Sequence, residues 1–258
     1  ETVRIEIQDE GPGFDPKKLP DPTSDEFLDR PNGRGVLLIQ TFMSRVEYPG
    51  RGNLVIMDNI GQPLFYRRMP QRTTDFNKHD DGRLSFFHDA TLRYYLLDGT
   101  YTVVDSFETG NGYLTDNHEF QLLSNGHGLM MAYDPQPVRM DTVIAGGDSN
   151  AVVTGLIIQE VNANKVVVFQ WRSWDHMSIL DVNSCNEDLL SENIDYVHGN
   201  SIERDTDGNL LISSRHLNEI TKINRQTGAI MWRMGRNAFR NQFTFVNDPR
   251  GFSHQEDA

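Results

Sequence analysis

Short β-prone runs, each stopped within a few residues by Asp, Asn or Gly, follow one another from Asn53 to the region of Trp232. No helix-period pattern interrupts them, so the chain must bury its apolar residues through many short strands. Leu54-Val55-Ile56-Met57, Pro63-Leu64-Phe65-Tyr66, Tyr94 to Leu97, Thr100 to Val104, Gln121 to Leu123 and Leu129 to Tyr133 open the series. Gly155 to Ile158, Lys165 to Trp171, Asn209 to Ser213, Glu219 to Ile223 and Ala229 to Trp232 continue it. Within it a unit recurs: the turn Asp205-Thr206-Asp207-Gly208-Asn209 feeds an aliphatic strand, a second strand follows, and Gln226-Thr227-Gly228 leads into a third that ends at Trp232. Weaker echoes lie at Leu123 to Met130 and Gln159 to Trp171. This grammar predicts a mainly β fold, a propeller in preference to an irregular sandwich. Trp171, Trp174 and Trp232 read as packing between sheets.

The first 53 residues have another texture. Val3, Ile5 and Ile7 alternate as in a short strand, which runs into Asp9-Glu10-Gly11-Pro12-Gly13-Phe14-Asp15. A polar loop leads to Gly33-Arg34-Gly35, and Val36, Leu37, Ile39, Phe42, Met43 and Val46 are spaced for an amphipathic helix. The expected division is a small α/β segment over 1–53 and a β domain over 54–258.

Charge narrows the partners. The 258 residues hold 24 Lys plus Arg against 37 Asp plus Glu, a formal charge of −13. Such a surface repels phosphate backbones and anionic lipid, so neither nucleic acid nor a membrane is expected as a partner. No apolar run approaches the roughly 18–20 residues of a membrane span. The single cysteine, Cys185, excludes an internal disulfide. The sequence opens on Glu1 without a basic-then-apolar leader and reads as a fragment; its compartment is left unassigned.

Residues 1 to about 53 resemble the second half of a histidine-kinase-like ATPase domain of the anti-sigma-factor serine kinase type. The likeness rests on the Asp9–Asp15 and Gly33–Gly35 boxes. It implies that Asp9 meets the adenine amino group and that Gly11, Gly13, Gly33 and Gly35 let backbone approach the phosphates. ATP and Mg²⁺ would then be ligands of this segment alone, with a sigma-factor-type protein as its partner. The family's Mg²⁺-holding Asn lies upstream of the strand at which this chain starts.

Residues from about 54 to 258 resemble the arylsulfotransferase family, six-bladed propellers that move sulfate between phenols. Matching stretches include Asp116-Asn117-His118-Glu119-Phe120, Trp171-Arg172-Ser173-Trp174-Asp175-His176, and Asp195-Tyr196-Val197-His198-Gly199-Asn200-Ser201-Ile202. Others are Leu211-Ile212-Ser213-Ser214-Arg215-His216, Thr227 to Arg233 with Gly235, and Phe252-Ser253-His254-Gln255. At about 40–50 residues per blade, some 200 residues supply four or five blades, an incomplete ring.

Sulfuryl transfer, like phosphoryl transfer, needs donors around three negative oxygens, a nucleophile, and an acid for the departing phenol oxygen. The resemblance implies that His198 and Asn200 contact the sulfate, that Arg215 and His118 join them, and that His176 is a further candidate. His127 and His216 read instead as turn or surface residues. A phenolic sulfate and a phenol acceptor are the implied substrates, with no cofactor. The family's sulfuryl-accepting histidine aligns with Glu256, and a glutamate forms no persistent sulfo-enzyme. An inactive fragment, or a propeller that binds an anion or partner without turnover, therefore stands as the alternative.

No metal is expected. Several histidines at a propeller axis could hold a cation, but no close His-x-His pair occurs and few carboxylates beyond Glu119 and Asp175 flank the histidine motifs. Asp205 to Asn209 starts like a calcium loop without its later glutamate and reads as a plain turn.

Overall fold

Fifteen strands order the residues described in a computed structural model, namely 53–57, 63–69, 71–182 and 186–255. The chain divides into two compact units, Glu1–Thr73 and Thr74–Ala258. In the first, β1 (Asn53–Met57) and β2 (Pro63–Arg68) form an antiparallel pair. Asp9, Gly11, Gly13, Gly33 and Gly35, with the helix expected after them, lie outside the described residues, as do Cys185 and Glu256.

The remaining strands make antiparallel meanders in chain order. β3 (Thr73–Lys78), β4 (Leu84–His88), β5 (Arg93–Leu97) and β6 (Val103–Phe107) form one sheet. β7 (Leu114–Leu122), β8 (Gly128–Val138), β9 (Ala151–Val161) and β10 (Val167–Arg172) form the next, and β11 (Asn193–Asp195) lies parallel to β9. β12 (Gly199–Arg204), β13 (Leu210–Ser214), β14 (Glu219–Ile223) and β15 (Ile230–Met234) form the last. The expected β character holds. Among the described residues no helix is long and apolar enough to cross a membrane.

Thr100 to Val104 is a correction: the strand begins at Val103. The Asp98 carboxylate accepts hydrogen bonds from the Thr100 and Thr102 backbone N–H groups, and Tyr101 takes a φ of 60°. That local bonding offers the backbone a turn in place of a ladder. The Asp205–Asn209 segment is a turn as expected: Gly208 has a φ of 81° and donates to the Asp205 carbonyl at 2.8 Å. Lys222 binds both Asp205 and Asp207 at 2.6 Å, holding the Asp207 carboxyl down to about 2.

Two apolar clusters hold the meanders. Phe87, Tyr94, Phe107 and Phe120 pack with Met130 and Val161, and the Tyr94 and Phe120 rings stack at 4.8 Å. Leu129, Met131, Leu156 and Ile158 share a core with Ile202, Leu210, Ile212 and Ile223. Gly128 to Ala132 is buried at every position, so both faces of β8 are covered and the strand reads as a continuous apolar run. Trp171, 1% exposed, donates from Nε1 to the Gly228 carbonyl at 3.0 Å, tying β10 to the β14–β15 turn. The second and third meanders are thereby fixed against each other.

Candidate functional site

The residues singled out by the histidine motifs sit where the strand ladders break. Between the pairs Thr115–Ala132 and Phe120–Met130, Asp116, Asn117, His118 and Glu119 face a single residue of β8. This bulge lifts His118 out of the β7 ladder. On β12 the register slips between Gly199 and Ser201, leaving Asn200 as the extra residue. His198, just before, has a φ of 48°, which costs a side-chain-bearing residue roughly 1–2 kcal/mol. Asp195 offsets that cost by accepting the His198 backbone N–H at 3.1 Å.

These irregularities bring three imidazoles together. The rings of His118 and His198 lie 5.7 Å apart, centroid to centroid, and His198 stacks on His216 at 4.6 Å. Tyr133 flanks both His118 (6.5 Å) and His198 (6.4 Å), and its hydroxyl donates to the Gly199 carbonyl. Each imidazole is anchored at Nδ1. His118 bonds Asp116 Oδ1 at 2.7 Å, His198 bonds Asp195 Oδ2 at 2.7 Å, and His216 bonds the Asp195 carbonyl. A carboxylate or carbonyl oxygen only accepts, so each Nδ1 carries the proton. Each Nε2 is then turned away from its Nδ1 anchor.

His216 is the residue that motif reading set aside. It does lie on a turn, but the turn continues the β12–β13 pairing: Arg215 N donates to the His198 carbonyl at 2.9 Å and His216 N to that of Val197 at 3.3 Å. Extending the Gly199–Ser214 register by one and two residues predicts both contacts. Burial lowers the His216 pKa, and the charges of His198 and Arg215 lower it further, against the Asp195 carbonyl. Burial raises the Glu187 carboxyl, and the nearby Asp195 carboxylate adds to the rise.

Asn200 is 3% exposed and donates from Nδ2 to the Gln255 carbonyl at 3.2 Å. Gln255 Nε2 in turn donates to the Ser214 and Glu219 carbonyls, so the segment before Glu256 returns to this end of the sheet. His254 N donates to Asn218 Oδ1 and the residue is exposed. The structure does not bring His176 to the group. It is exposed and stacks on Trp171 at 5.2 Å, with its Nε2 3.6 Å from where a Gly228 Cβ would stand. Gly228 and His216 occupy turns at opposite ends of β14, about 17 Å apart at strand rise. His127 is engaged elsewhere, bonded to buried Glu160 at 2.5 Å.

Gly199 has no room for a side chain. A Cβ there would lie 2.6 Å from Leu156 Cδ2, so Gly199→Ala must push the chain between His198 and Asn200. A loss of about 1–3 kcal/mol is expected in chemical denaturation. An unchanged midpoint would contradict this packing.

On β3, burial lifts the Asp75 carboxyl to about 6, against the Tyr94 and Asn77 hydrogen bonds and the His118 charge, which lower it. The folded chain therefore holds this proton more tightly than the unfolded one, and stability falls as pH rises from about 4 through 6. Asp75→Asn is expected to remove that component from a series of melting temperatures against pH; an identical profile would contradict it.

In comparisons with solved structures, a protein of unknown function from Bacteroides caccae is 12% identical with a TM-score of 0.43, over 70% of this chain and 53% of that one. Virginiamycin B lyase from Staphylococcus aureus is 10% identical with a TM-score of 0.39, over 70% of this chain and 48% of that one. The chain thus spans about half the length of these structures. No curated protein matches it. A histidine kinase-like ATPase domain model matches residues 1–58, and the arylsulfotransferase (ASST) model matches residues 37–244.

Proposed function

The chain belongs to the arylsulfotransferase family, and from that premise we propose that its β region carries a sulfuryl-transfer site of a partial propeller, centred on His118, His198, Asn200 and Arg215. The observation that carries the reading is the 5.7 Å approach of His118 on β7 and His198 in the link between β11 and β12, each anchored at Nδ1 by a carboxylate. A protonated imidazole so held directs an Nε2–H toward an anion, and the neutral form directs a lone pair. One group can therefore bind a sulfate oxygen and, in the other protonation state, accept the phenol proton. The Asn200 amide and the Arg215 guanidinium would supply further hydrogen-bond donors. Charge on the three sulfate oxygens would be met by groups fixed before the substrate arrives. Three consecutive four-stranded meanders accord with a propeller, and the rest of a closed ring would have to come from sequence beyond this chain.

The test is release of p-nitrophenolate from p-nitrophenyl sulfate in the presence of a phenol, without an adenylyl-sulfate donor. Transfer supports the reading; neither transfer nor binding of the ester would sink it. Glu256 favours a second reading, a site that binds the ester and does not turn it over. Binding without release identifies that case, and Glu256→His should then raise transfer, since imidazole accepts a sulfuryl group where a carboxylate yields a labile anhydride. No gain in Glu256→His would remove Glu256 as the explanation.

The nucleotide reading applies to residues 1–53 alone. Binding of ATP through Asp9 and the glycines, with Mg²⁺, would raise the melting temperature at millimolar ATP. No shift rules it out for this chain.

A further inference from the structure

On their Nδ1 side, His198 and His216 face the carboxylates of Asp195 and Glu187. Ligand atoms of Asp195, His198 and His216 all lie within 4.8 Å of one another. His198 Nδ1 is 2.7 Å from Asp195 Oδ2, and His216 Nδ1 is 3.3 Å from Glu187 Oε2. Two ligands held about 2.0–2.1 Å from a tetrahedral ion stand about 3.3 Å apart. The His216–Glu187 pair already has that separation, and the His198–Asp195 pair would open by about half an ångström.

We propose that Asp195, His198, His216 and Glu187 form a site for a divalent transition cation of the zinc class, seated behind the sulfate-binding face. Two imidazoles and two carboxylates are a borderline donor set, suited to Zn²⁺ over Ca²⁺ or Mg²⁺, which take oxygen shells. Two carboxylates neutralise the divalent charge, and all four side chains are 13–27% exposed, sheltered yet reachable from solvent. Binding moves the proton of each neutral imidazole from Nδ1 to Nε2, so no oxidant or co-reactant is needed. His198 then becomes a fixed Nε2–H donor toward the sulfate and loses its function as a base. The cation would hold the ester in place while suppressing transfer.

Binding of the cation stands apart from the sulfuryl-transfer reading, while its effect on His198 toward the sulfate rests on that reading. Calorimetric titration of the full chain with Zn²⁺ alone should show one equivalent bound. Glu187→Gln, which keeps shape and removes charge, and His216→Ala should each weaken binding at least about tenfold, since even outer-shell losses cost 10–100-fold. His88→Ala, on β4, should leave it intact, and circular dichroism of every variant checks that it folds. Arg215→Ala should lose the aryl sulfate while keeping Zn²⁺, which separates this site from the anion site. Absent Zn²⁺ binding, or binding that both Glu187→Gln and His216→Ala leave unchanged, would overturn the proposal.

Discussion

His198→Ala is expected to lower sulfuryl transfer from p-nitrophenyl sulfate by about 10²–10⁴-fold, the range for removing a positioned acid–base imidazole. The substitution also takes away the ring that lies against both His118 and His216. It leaves the strained φ of 48° in place, since alanine also carries a Cβ, and removes the Nδ1 partner of Asp195. Affinity for the ester should fall along with the rate, because in the proposed site the same imidazole would meet the anion before and during transfer. Asn200→Ala should cost about 10²–10³, as loss of one preorganised donor does. His176→Ala is the internal contrast: stacked on Trp171 near the far end of β14, it should leave the rate within a few-fold of the parent. A His198→Ala variant with the parent's rate and affinity would contradict the assignment.

Arg233→Met should produce the largest loss of stability, about 3–5 kcal/mol near neutral pH. Arg233 on β15 is buried between two carboxylates, with Nε 2.6 Å from Glu219 Oε1 and an Nη 2.7 Å from Asp181 Oδ2. Glu219 is fully buried and also accepts a bond from the Thr221 hydroxyl, while Arg240 reaches Asp181 from the exposed side at 2.8 Å. Methionine fills part of the volume and supplies no charge, so Glu219 would be left ionised in an apolar setting. Burial already raises the Glu219 carboxyl, and the Arg233 hydrogen bond and charge act against the rise. Without Arg233 the folded value climbs further above the unfolded one, so the variant should regain stability as pH falls. Urea denaturation at neutral and mildly acid pH measures both effects. A loss under about 1 kcal/mol, or one independent of pH, would contradict this account. The site depends on the same residues, because Glu219 follows the Arg215–Asn218 turn directly and its carbonyl accepts from Gln255.

Much of the fold was legible in the sequence where strands are regular and apolar. β13, β14 and β15 fall within a residue or two of the runs read at 209–213, 219–223 and 229–232. β3, Thr-Thr-Asp-Phe-Asn-Lys, was invisible because its composition is that of a loop, and its order comes from pairing with β4. Thr100 to Val104 misled because one carboxylate, Asp98, captured the local N–H groups. The site divides along similar lines. The motifs name His118, His198, Asn200 and Arg215, and the approach of the two imidazoles depends on bulges and a left-handed residue that period-2 reading cannot represent. The approach of His216 to His198 was not legible because it lies in a cross-strand register and not in the neighbours of His216. Asp116 and Asp195 were quoted within motifs without a role, although an Asp two or three residues before a His is placed to bond that histidine's backbone N–H.

The account is tested most directly by following the imidazole ¹⁵N and ¹H signals of the full chain as an aryl sulfate is added. Nε2 signals of His118 and His198 are predicted to shift together along one saturable curve, with those of His127 and His176 unmoved. Shifts confined to His127 or His176, or no imidazole response at a concentration where the ester binds, would contradict a sulfate pocket at the meeting of β7 and β12.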